Sequence, residues 1–509
     1  MSWSQFGQDL LGLLPNDASG ASVALSSDGL IVAIGDIFHD PTIAGTLATD
    51  AGRVRVYKYN LTNSTYEKYG QDIIGRAAGD TAGTVVALSS DGKIVAIGAP
   101  YANVPSSNNP TAIDTGHVLV YKYDDIDTTW KQLGPDINTS AIGLTTNDKF
   151  GYSVSLSDDG KIVAVGVPNR DPGLLDAGGV FVYRYNETLN TWPQLGTIIK
   201  GEAADDGSGS SVSLSSDGKV LAIGAPKNDS LINNITQSNT GHVRVFKYNE
   251  TLATPNWTKI GQDIDGEATL DGSGSWVSLS SDGTIVAISA PQNNPTSALV
   301  DAGQVRIYKY NSATNLWNQI GQDIDGVAAG DQAGSYQSVS LNALGNIVAI
   351  GAVFNDTTSS NSGHVRIYMY DSANNLWNKI GADINAETLA TKQSGYSVSL
   401  SDSGFMVAVG APFNTPGDSY VGSNAGRVRV YEYVSPTTTT TTTEAPTTTT
   451  EAPTTTTTEA PTTTTEAPTT TTEAPTHQTI LSLESVGTSI NETGKIKYVW
   501  QLTANTAEL

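Results

Sequence analysis

Carboxylates that recur at a fixed place are the first candidates for chemistry in this sequence. The connections between repeats end six times in an Asp followed three positions later by Gly, at Asp17, Asp80, Asp148, Asp206, Asp271 and Asp331. Lys392 stands at the seventh equivalent position. If the copies surround one axis, these carboxylates could bind a cation or a polar ligand near its mouth. The alternative is that each Asp closes its own loop as an Asx turn, and repetition favours this structural role.

Basic side chains also repeat. Arginines that share one position of the repeat are Arg55, Arg244, Arg306, Arg366 and Arg429. Converging arginines would suit a sialidase, but equivalent positions predict side chains that lie between neighbouring units.

Three histidines also share one position of the repeat. A Gly-His-Val sequence contains His117, His242 and His364, where other copies have Arg, Gly or Gln. A position that accepts all of these does not define a catalytic base.

Motifs for catalysis are otherwise missing from the sequence. It has no nucleophile elbow, phosphate-binding loop or His-Glu-x-x-His motif. It has no cysteine, which excludes a thiol nucleophile and cysteine-ligated metal. An enzyme should show an irregular charged cluster in one repeat, and only repeated positions stand out. We therefore expect no enzyme activity, no catalytic residue, no cofactor and no metal.

Seven repeats must position these side chains. An aromatic residue followed four positions later by Gly recurs every 60 to 65 residues, at Trp3/Gly7, Tyr66/Gly70, Trp130/Gly134, Trp192/Gly196, Trp257/Gly261, Trp317/Gly321 and Trp377/Gly381. Three strand-like segments accompany each copy, as in Ser211–Gly218, Lys93–Pro100 and Gly241–Asn249. Their alternating or continuous apolar patterns predict β-strands, and Ser-Asp-Gly predicts tight turns. The predicted fold is all-β, a seven-bladed β-propeller of four-stranded antiparallel blades.

The order of the segments predicts how the ring closes. The chain begins with an isolated aromatic strand at Trp3 and ends its repeats at Tyr433 without one. The N-terminal strand should therefore complete blade seven, with blade one running from Gly20 to Gly70. The predicted domains are a propeller at 1–435, a linker of Thr runs and Glu-Ala-Pro units at 436–476, and a short β-like tail at 477–509.

One stretch resembles a known repeat. Phe150-Gly151-Tyr152-Ser153-Val154 followed by Gly166-Val167-Pro168 resembles the FG-GAP repeat of integrin-type propellers, and Gly98-Ala99-Pro100 and Gly410-Ala411-Pro412 match its second half. The resemblance spans roughly residues 3–433 and implies a propeller with an adhesive role. The calcium loops that the resemblance would imply do not carry over, since the Ser-Ser-Asp-Gly turns here have a single carboxylate. The Thr-rich linker resembles those of structural proteins of marine viruses and phages.

Charge narrows the partners. With 27 basic and 51 acidic residues the net charge is −24, which disfavours nucleic acid and anionic lipid. The N-terminus reads as neither a signal peptide nor a membrane span. We expect a display protein on a virion surface, whose loops bind a host glycan or receptor and whose tail binds other virion proteins. The alternatives are a cellular extracellular adhesin and a polysaccharide hydrolase or lyase.

Overall fold

Residues 2–104, 112–138, 145–232, 235–386, 393–414, 423–434, 479–490 and 496–506 are described by a computed structural model. The chain divides into two compact units, Met1–Thr438 and Thr439–Leu509. The first unit contains seven antiparallel sheets that follow one another along the chain. This confirms the predicted all-β, seven-bladed propeller. No helix long and apolar enough to cross a membrane occurs in the described part of the chain.

The strands of each blade are numbered here from the channel outwards. The first strands are Ser19–Leu25, Val85–Leu88, Ser153–Leu156, Ser211–Leu214, Val277–Leu279, Val339–Leu341 and Ser397–Leu400. The second strands are Ile31–Asp36, Ile94–Ala99, Ile162–Val167, Val220–Ala225, Ile285–Ala290, Ile347–Ala352 and Met406–Ala411. The third strands are Arg53–Asn60, His117–Asp124, Gly179–Arg184, His242–Asn249, Gln304–Asn311, His364–Asp371 and Arg427–Val434.

The outer edge is less regular. The fourth strands of blades 1, 2, 4, 5, 6 and 7 are Thr65–Lys68, Thr129–Gln132, Asn256–Lys259, Leu316–Gln319, Leu376–Lys379 and Ser2–Gln5. Blade 3 instead has the single bridges Tyr183 to Gln194 and Asn186 to Thr191. Two-residue strands also pair with third strands, at Leu10–Leu11, Ile73–Ile74, Ile199–Lys200, Ile264–Asp265, Ile324–Asp325 and Ile384–Asn385. Two small loop hairpins join Thr42–Ile43 to Thr46–Leu47 and Ser230–Ile232 to Ile235–Gln237.

Second strands are buried almost throughout because neighbouring blades cover both of their faces. A glycine next to the last residue of six of the second strands allows this contact. A Cβ on Gly410 would lie 2.1 Å from the backbone oxygen of Gly20 in the next blade. At five further seams, a Cβ on the corresponding glycine would lie 2.0 to 2.2 Å from a backbone oxygen of the next blade. Ser397 Oγ donates to the same Gly20 oxygen at 2.8 Å. The inner seam is therefore a direct backbone contact that any side chain would separate.

The aromatic–glycine repeat forms a second seam near the rim. Trp3 of blade 7 donates its indole N–H to Ile380 O at 3.0 Å, and a Cβ on Gly381 would lie 2.7 Å from the indole ring. Trp130, Trp192, Trp257, Trp317 and Trp377 make the same bond to the preceding blade at 2.7 to 3.0 Å. The recurring Gly thus leaves space for the next blade's indole.

A third contact joins the Ser-Asp-Gly turns. Each turn donates one backbone N–H to the corresponding carbonyl of the following turn, at 2.9 to 3.2 Å. The donors run through Ser27, Ser90, Asp158, Ser216, Ser281, Ala343 and Asp402, and the last bonds back to Ser27. Seven blades therefore close one unbroken ring of hydrogen bonds at this end of the channel.

Ring closure follows the predicted order. Ser2–Gln5 pairs with Arg427–Val434 in the register Trp3 opposite Tyr433, so that the N-terminal strand is the fourth strand of blade 7. Blade 1 then begins at Ser19 and ends at Lys68.

In the second unit, Thr479–Ile490 pairs with Ile496–Thr506 in an antiparallel hairpin. The predicted linker at 436–476 lies outside the described residues, and the three proposed domain boundaries stay predictions.

Replacing Trp3 by Ala should lower the free energy of unfolding by about 2–3 kcal/mol, because the half-buried indole and its bond to Ile380 both connect blade 7 to blade 6. Urea denaturation of the full chain measures this. Ser4→Ala, at an exposed position of the same strand, is the matched control and should change stability by less than about 0.5 kcal/mol. Equal midpoints for the two variants would show that this strand does not close the ring.

Candidate functional site

The two ends of the propeller differ. The Ser-Asp-Gly turns and the outer hairpins lie at one end, here called the turn face, since antiparallel strands alternate direction. The longer connections, between second and third strands and between blades, lie at the other end, here called the loop face. Binding sites usually occur on variable loops held by a rigid scaffold, which makes the loop face the place to examine.

A cavity of about 570 Å³ opens on the channel axis at the loop face. Such a volume is within the usual range of ligand pockets, about 300–1,000 Å³. Aromatic side chains that line it are Phe38, Tyr101, Tyr152, Trp276, Tyr336 and Tyr396. Polar side chains that line it are Asp50, Thr81, Thr84, Asp114, Ser210, Ser275 and Gln337. No Lys or Arg occurs among the described residues of this lining.

The aromatic rings are distributed unevenly around the axis. The third residue after the glycine of the second strand is aromatic in four consecutive blades, at Phe354, Phe413, Phe38 and Tyr101. The other three blades carry Asn169, Lys227 and Gln292 there. Closure of blade 7 onto blade 1 makes the four aromatic positions adjacent. This loop position is therefore aromatic on one side of the ring and polar on the other, while Tyr152 of blade 3 and Trp276 of blade 5 bring aromatic rings from other positions of the repeat.

Blade 6 adds the most irregular feature. Its first strand is preceded by Tyr336-Gln337, two residues more than the Gly-Ser-Ser-Val sequence of blade 4. Tyr336 has φ 58°, a left-handed conformation that bulky residues rarely adopt. Its ring stacks on Tyr396 of blade 7 with centroids 4.2 Å apart, and 45% of the residue is exposed. Backbone strain that exposes an aromatic ring is typical of functional sites.

The seam between blades 5 and 6 is also irregular. Ser289 stands where the other six blades have the seam glycine, and its Cβ would lie 2.6 Å from a Cβ on Gly334. Ser289 Oγ accepts a hydrogen bond from the backbone N–H of Trp276 at 2.9 Å, and Trp276 itself takes the position of the seam serine. The departures from the repeat in blades 5 and 6 therefore lie next to each other.

Gln337 crosses the channel. Its Nε2 donates to Thr84 O of blade 2 at 2.7 Å, and its backbone bridges to Ser397 of blade 7. The amide therefore forms part of the cavity floor and links blade 6 to blade 2 across the channel.

Burial raises the pKa of Tyr396, and the neighbouring hydroxyls of Tyr336, Tyr152 and Tyr101 raise it further. Burial likewise raises the pKa of Tyr152, with contributions from Tyr101 and Tyr336. These phenols consequently stay protonated at neutral pH and can donate hydrogen bonds to a ligand. Lys149 Nζ lies 5.2 Å from the centre of the Tyr101 ring, outside the lining.

The six aspartates of the sequence repeat lie elsewhere. Asp17, Asp80, Asp148, Asp206, Asp271 and Asp331 are all buried, with 1 to 3% exposed, and none is among the described residues of the cavity lining. Each accepts backbone N–H groups from residues three or four positions earlier, as in Ala268 and Glu267 to Asp271. Asn228, Asn293 and Asn355 donate to Asp206, Asp271 and Asp331 as well. The carboxylates thus cap their own loops, and their ligand binding stays a prediction. Lys392 lies outside the described residues.

Asp17 also belongs to a buried ion network in blade 1. Its carboxylate contacts His39 and Arg53, each at 3.0 Å. Arg53 and Arg55 both contact Asp36, which is fully buried, at 2.6 Å. Burial by itself would raise the pKa of Asp36, but the Arg55 and Arg53 guanidiniums hold it below the usual value. The other blades have Ala or Val at the position of Asp36.

The repeated arginines lie between blades, as expected. Arg244 and Arg306 donate to Lys200 O and Asp265 O of the preceding connections at 2.8 Å, and each lies over an aromatic ring. Arg366 and Arg429 pair with Asp383 and Asp9.

The repeated histidines His117, His242 and His364 are buried. Burial lowers the pKa of all three, that of His364 to about 4.

Comparison with known proteins agrees with this architecture. Residues 141–183 match the model of the FG-GAP repeat, a segment that includes Tyr152 of the cavity. This propeller contains an FG-GAP repeat. No curated protein sequence matches the chain.

Solved structures similar to this propeller include three bacterial proteins. A putative 6-phosphogluconolactonase from Bacteroides uniformis is 14% identical, with a TM-score of 0.47 over 74% of this chain and 87% of its own. A periplasmic gluconolactonase from Pseudomonas aeruginosa is 15% identical, with a TM-score of 0.46 over 72% and 86%. A putative 6-phosphogluconolactonase from Bacteroides fragilis is 15% identical, with a TM-score of 0.44 over 72% and 85%. Such identities concern the propeller fold alone.

The prediction that the chain is not an enzyme is corrected here. Solved propellers described as lactonases match most of the chain, so the propeller fold by itself does not exclude an enzyme. The argument behind the prediction also fails on the structure itself. It looked for an irregular charged cluster in one repeat and found only repeated positions, yet Asp17, Asp36, His39 and Arg53 form such a cluster in blade 1. Repetition therefore does not exclude catalysis.

Sequence reasoning missed the cavity because it followed the repeated positions. The signal lay in the differences between copies. The residue after the glycine of each first-strand segment is Ala21, Thr84, Tyr152, Ser210, Ser275, Ser335 or Tyr396. Variable side chains at one fixed place of a conserved scaffold indicate a binding surface.

Asp36→Ala should lower the free energy of unfolding by about 3 kcal/mol at pH 7, since it leaves Arg53 and Arg55 buried without their main partner. The folded-state pKa of Asp36 is depressed, so its stabilisation is present above the unfolded pKa and is lost as the pH falls through the folded value. Urea denaturation is measured from pH 7 down to about pH 3. The difference in the free energy of unfolding between wild type and Asp36→Ala should shrink below about pH 4. A difference that stays constant over this range would contradict the ionic role.

Proposed function

We propose that the loop face binds a neutral carbohydrate in the central cavity. The observation that carries this proposal is the mixed lining, in which six aromatic rings stand among Ser and Thr hydroxyls and the Gln337 amide. Aromatic rings provide flat apolar surfaces and the hydroxyl and amide groups provide orienting hydrogen bonds, the combination that ligand pockets use. A sugar ring has one apolar face and a rim of hydroxyl groups, and so can contact both kinds of side chain.

Charge selects neutral ligands over anionic ones. The described lining has two carboxylates, Asp50 and Asp114, and no basic side chain that could pair with a sulfate, phosphate or sialic acid. The net charge of −24 adds a long-range repulsion for anions. The two carboxylates can instead accept hydrogen bonds from sugar hydroxyls.

The cavity floor supports a specific rather than a general site. Gln337 is held by its bond to Thr84 O, so its amide has one orientation in the channel. Tyr336 and Tyr396 are stacked on each other, which fixes both rings before a ligand arrives. Preorganised side chains lose little conformational entropy on binding.

We further propose that the propeller presents this cavity to a host glycan or receptor from a virion surface, with the tail at 477–509 attached to other virion proteins. A propeller, a Thr-rich linker and a terminal tail are the layout that supports this proposal. A cellular adhesin is the alternative. Mass spectrometry of purified particles should detect the chain in stoichiometric amounts, and its absence from particles while it occurs on cell surfaces would favour the adhesin.

Tyr152→Ala should weaken glycan binding by the full chain at least about tenfold, because it removes a ring of the cavity while leaving the blade seams intact. A glycan array identifies the ligand and titration calorimetry measures the loss. Phe405→Ala is the matched control, since Phe405 is also 39% exposed but follows a turn of the turn face. It should leave the affinity unchanged.

Three results would change or overturn the proposal. Binding only to sulfated or sialylated glycans would contradict a neutral ligand. Hydrolysis of a sugar lactone that Tyr152→Ala abolishes and Phe405→Ala retains would show that the same cavity is catalytic. No binding to any glycan, with no such hydrolysis, would overturn the assignment of the cavity.

A further inference from the structure

A second group of side chains lies apart from the cavity, at the end of blade 4 that faces blade 3. One ring nitrogen of His242 and one carboxylate oxygen each of Glu202 and Asp263 all lie within 4.8 Å of one another. His242 begins the third strand of the blade, Glu202 follows the two-residue strand Ile199–Lys200, and Asp263 precedes Ile264–Asp265. Three chain segments therefore converge on one point.

His242 supplies an independent indication of a ligand. Only 2% of the residue is exposed, and its Nε2 has no hydrogen-bond partner among the described residues. A buried polar atom without a partner is costly, and an ion is one of the common explanations. An imidazole nitrogen with two carboxylates is a donor set for a divalent transition metal, while calcium and magnesium prefer oxygen ligands alone.

We propose that Glu202, His242 and Asp263 bind a divalent transition-metal ion. Three protein ligands leave coordination positions for water or for a ligand group. The site makes no use of the central cavity, and the proposal does not depend on carbohydrate binding.

Two basic side chains lie next to the proposed carboxylate ligands and affect how tightly an ion can bind. Arg244 Nη1 contacts Glu202 Oε1 at 3.0 Å, and Lys259 Nζ contacts Asp263 Oδ1 at 2.7 Å. Each contact engages one oxygen, and each carboxylate has a second oxygen to offer the ion. The two cations reduce the negative charge of the site, so affinity must come from the nitrogen as well as from the carboxylates.

The other blades show what is particular to blade 4. Blade 2 has His117 and Asp136, but Arg76 replaces Glu202 and pairs with Asp136 at 2.9 Å. Blade 6 has His364 and Asp383, but Val327 replaces Glu202. Blade 5 has Glu267 and Asp323, but Gln304 replaces His242. His117 Nε2 and His364 Nδ1 also lack partners among the described residues. Within the described part of the chain, only blade 4 combines the unpaired nitrogen with both carboxylates.

These natural replacements provide variants that keep the fold. The untagged full chain is stripped with a chelator and dialysed to equilibrium against Zn²⁺, and bound metal is measured by mass spectrometry. Wild type should bind one Zn²⁺ at this site. His242→Gln, which copies Gln304, should weaken that binding at least about tenfold, and Glu202→Val, which copies Val327, should weaken it similarly.

His117→Gln is the matched control, because it removes a buried histidine of the same context without touching the three ligands. It should leave Zn²⁺ binding unchanged, and thermal denaturation without metal verifies that each variant is folded. No saturable Zn²⁺ binding by wild type would overturn the proposal. An equal loss in His117→Gln and His242→Gln would do the same, as would Ca²⁺ binding that His242→Gln leaves intact.

Discussion

The direct contact of backbones between neighbouring blades is the constraint on which the rest of the structure depends. At six seams a Cβ on the second-strand glycine would lie 2.0 to 2.2 Å from a carbonyl oxygen of the next blade. The blades can therefore approach closely enough for the indole bonds at the rim and the closed ring of turn bonds to form together. Because each blade is supported by two neighbours, the ring needs its last strand from the N-terminus to leave no open edge.

The close contact between blades explains where the sequence can differ from one blade to the next. Side chains inside the seams are held by packing on both sides, whereas the loop-face ends of the inner strands face the open channel. Blade 5 departs from the rule with Ser289, and blade 6 has the additional residues Tyr336 and Gln337. The other six seams keep the glycine. Trp276, Tyr336 and Gln337 beside the irregular seam all line the central cavity, so the irregular part of the ring contributes to the candidate ligand site.

Charged side chains likewise divide into those that repeat in most blades and those that occur in a single blade. The repeated Asp residues are occupied by backbone donors of their own loops, and the repeated Arg residues by carboxylates and carbonyls between blades. Repeated charge thus stabilises the scaffold. Blade 1 and blade 4 break the repeat, the first with the buried pair of Asp36 and Arg55, the second with Glu202 beside His242. Chemistry beyond the scaffold is to be sought where one copy differs from the other six.

Much of the fold could be predicted from local pattern. The spacing of Trp and Gly, the alternating strands and the Ser-Asp-Gly turns determined seven antiparallel blades and the closing role of Trp3, because each of these signals acts within one repeat or between adjacent repeats. The cavity could not be found in this way. Phe38, Tyr152, Tyr336 and Tyr396 are far apart in sequence and belong to four blades, and closure of the ring alone brings them to one axis. The sequence by itself determined the four-stranded blade and the number of blades. The tertiary structure decided which of the residues that differ between blades meet in the cavity.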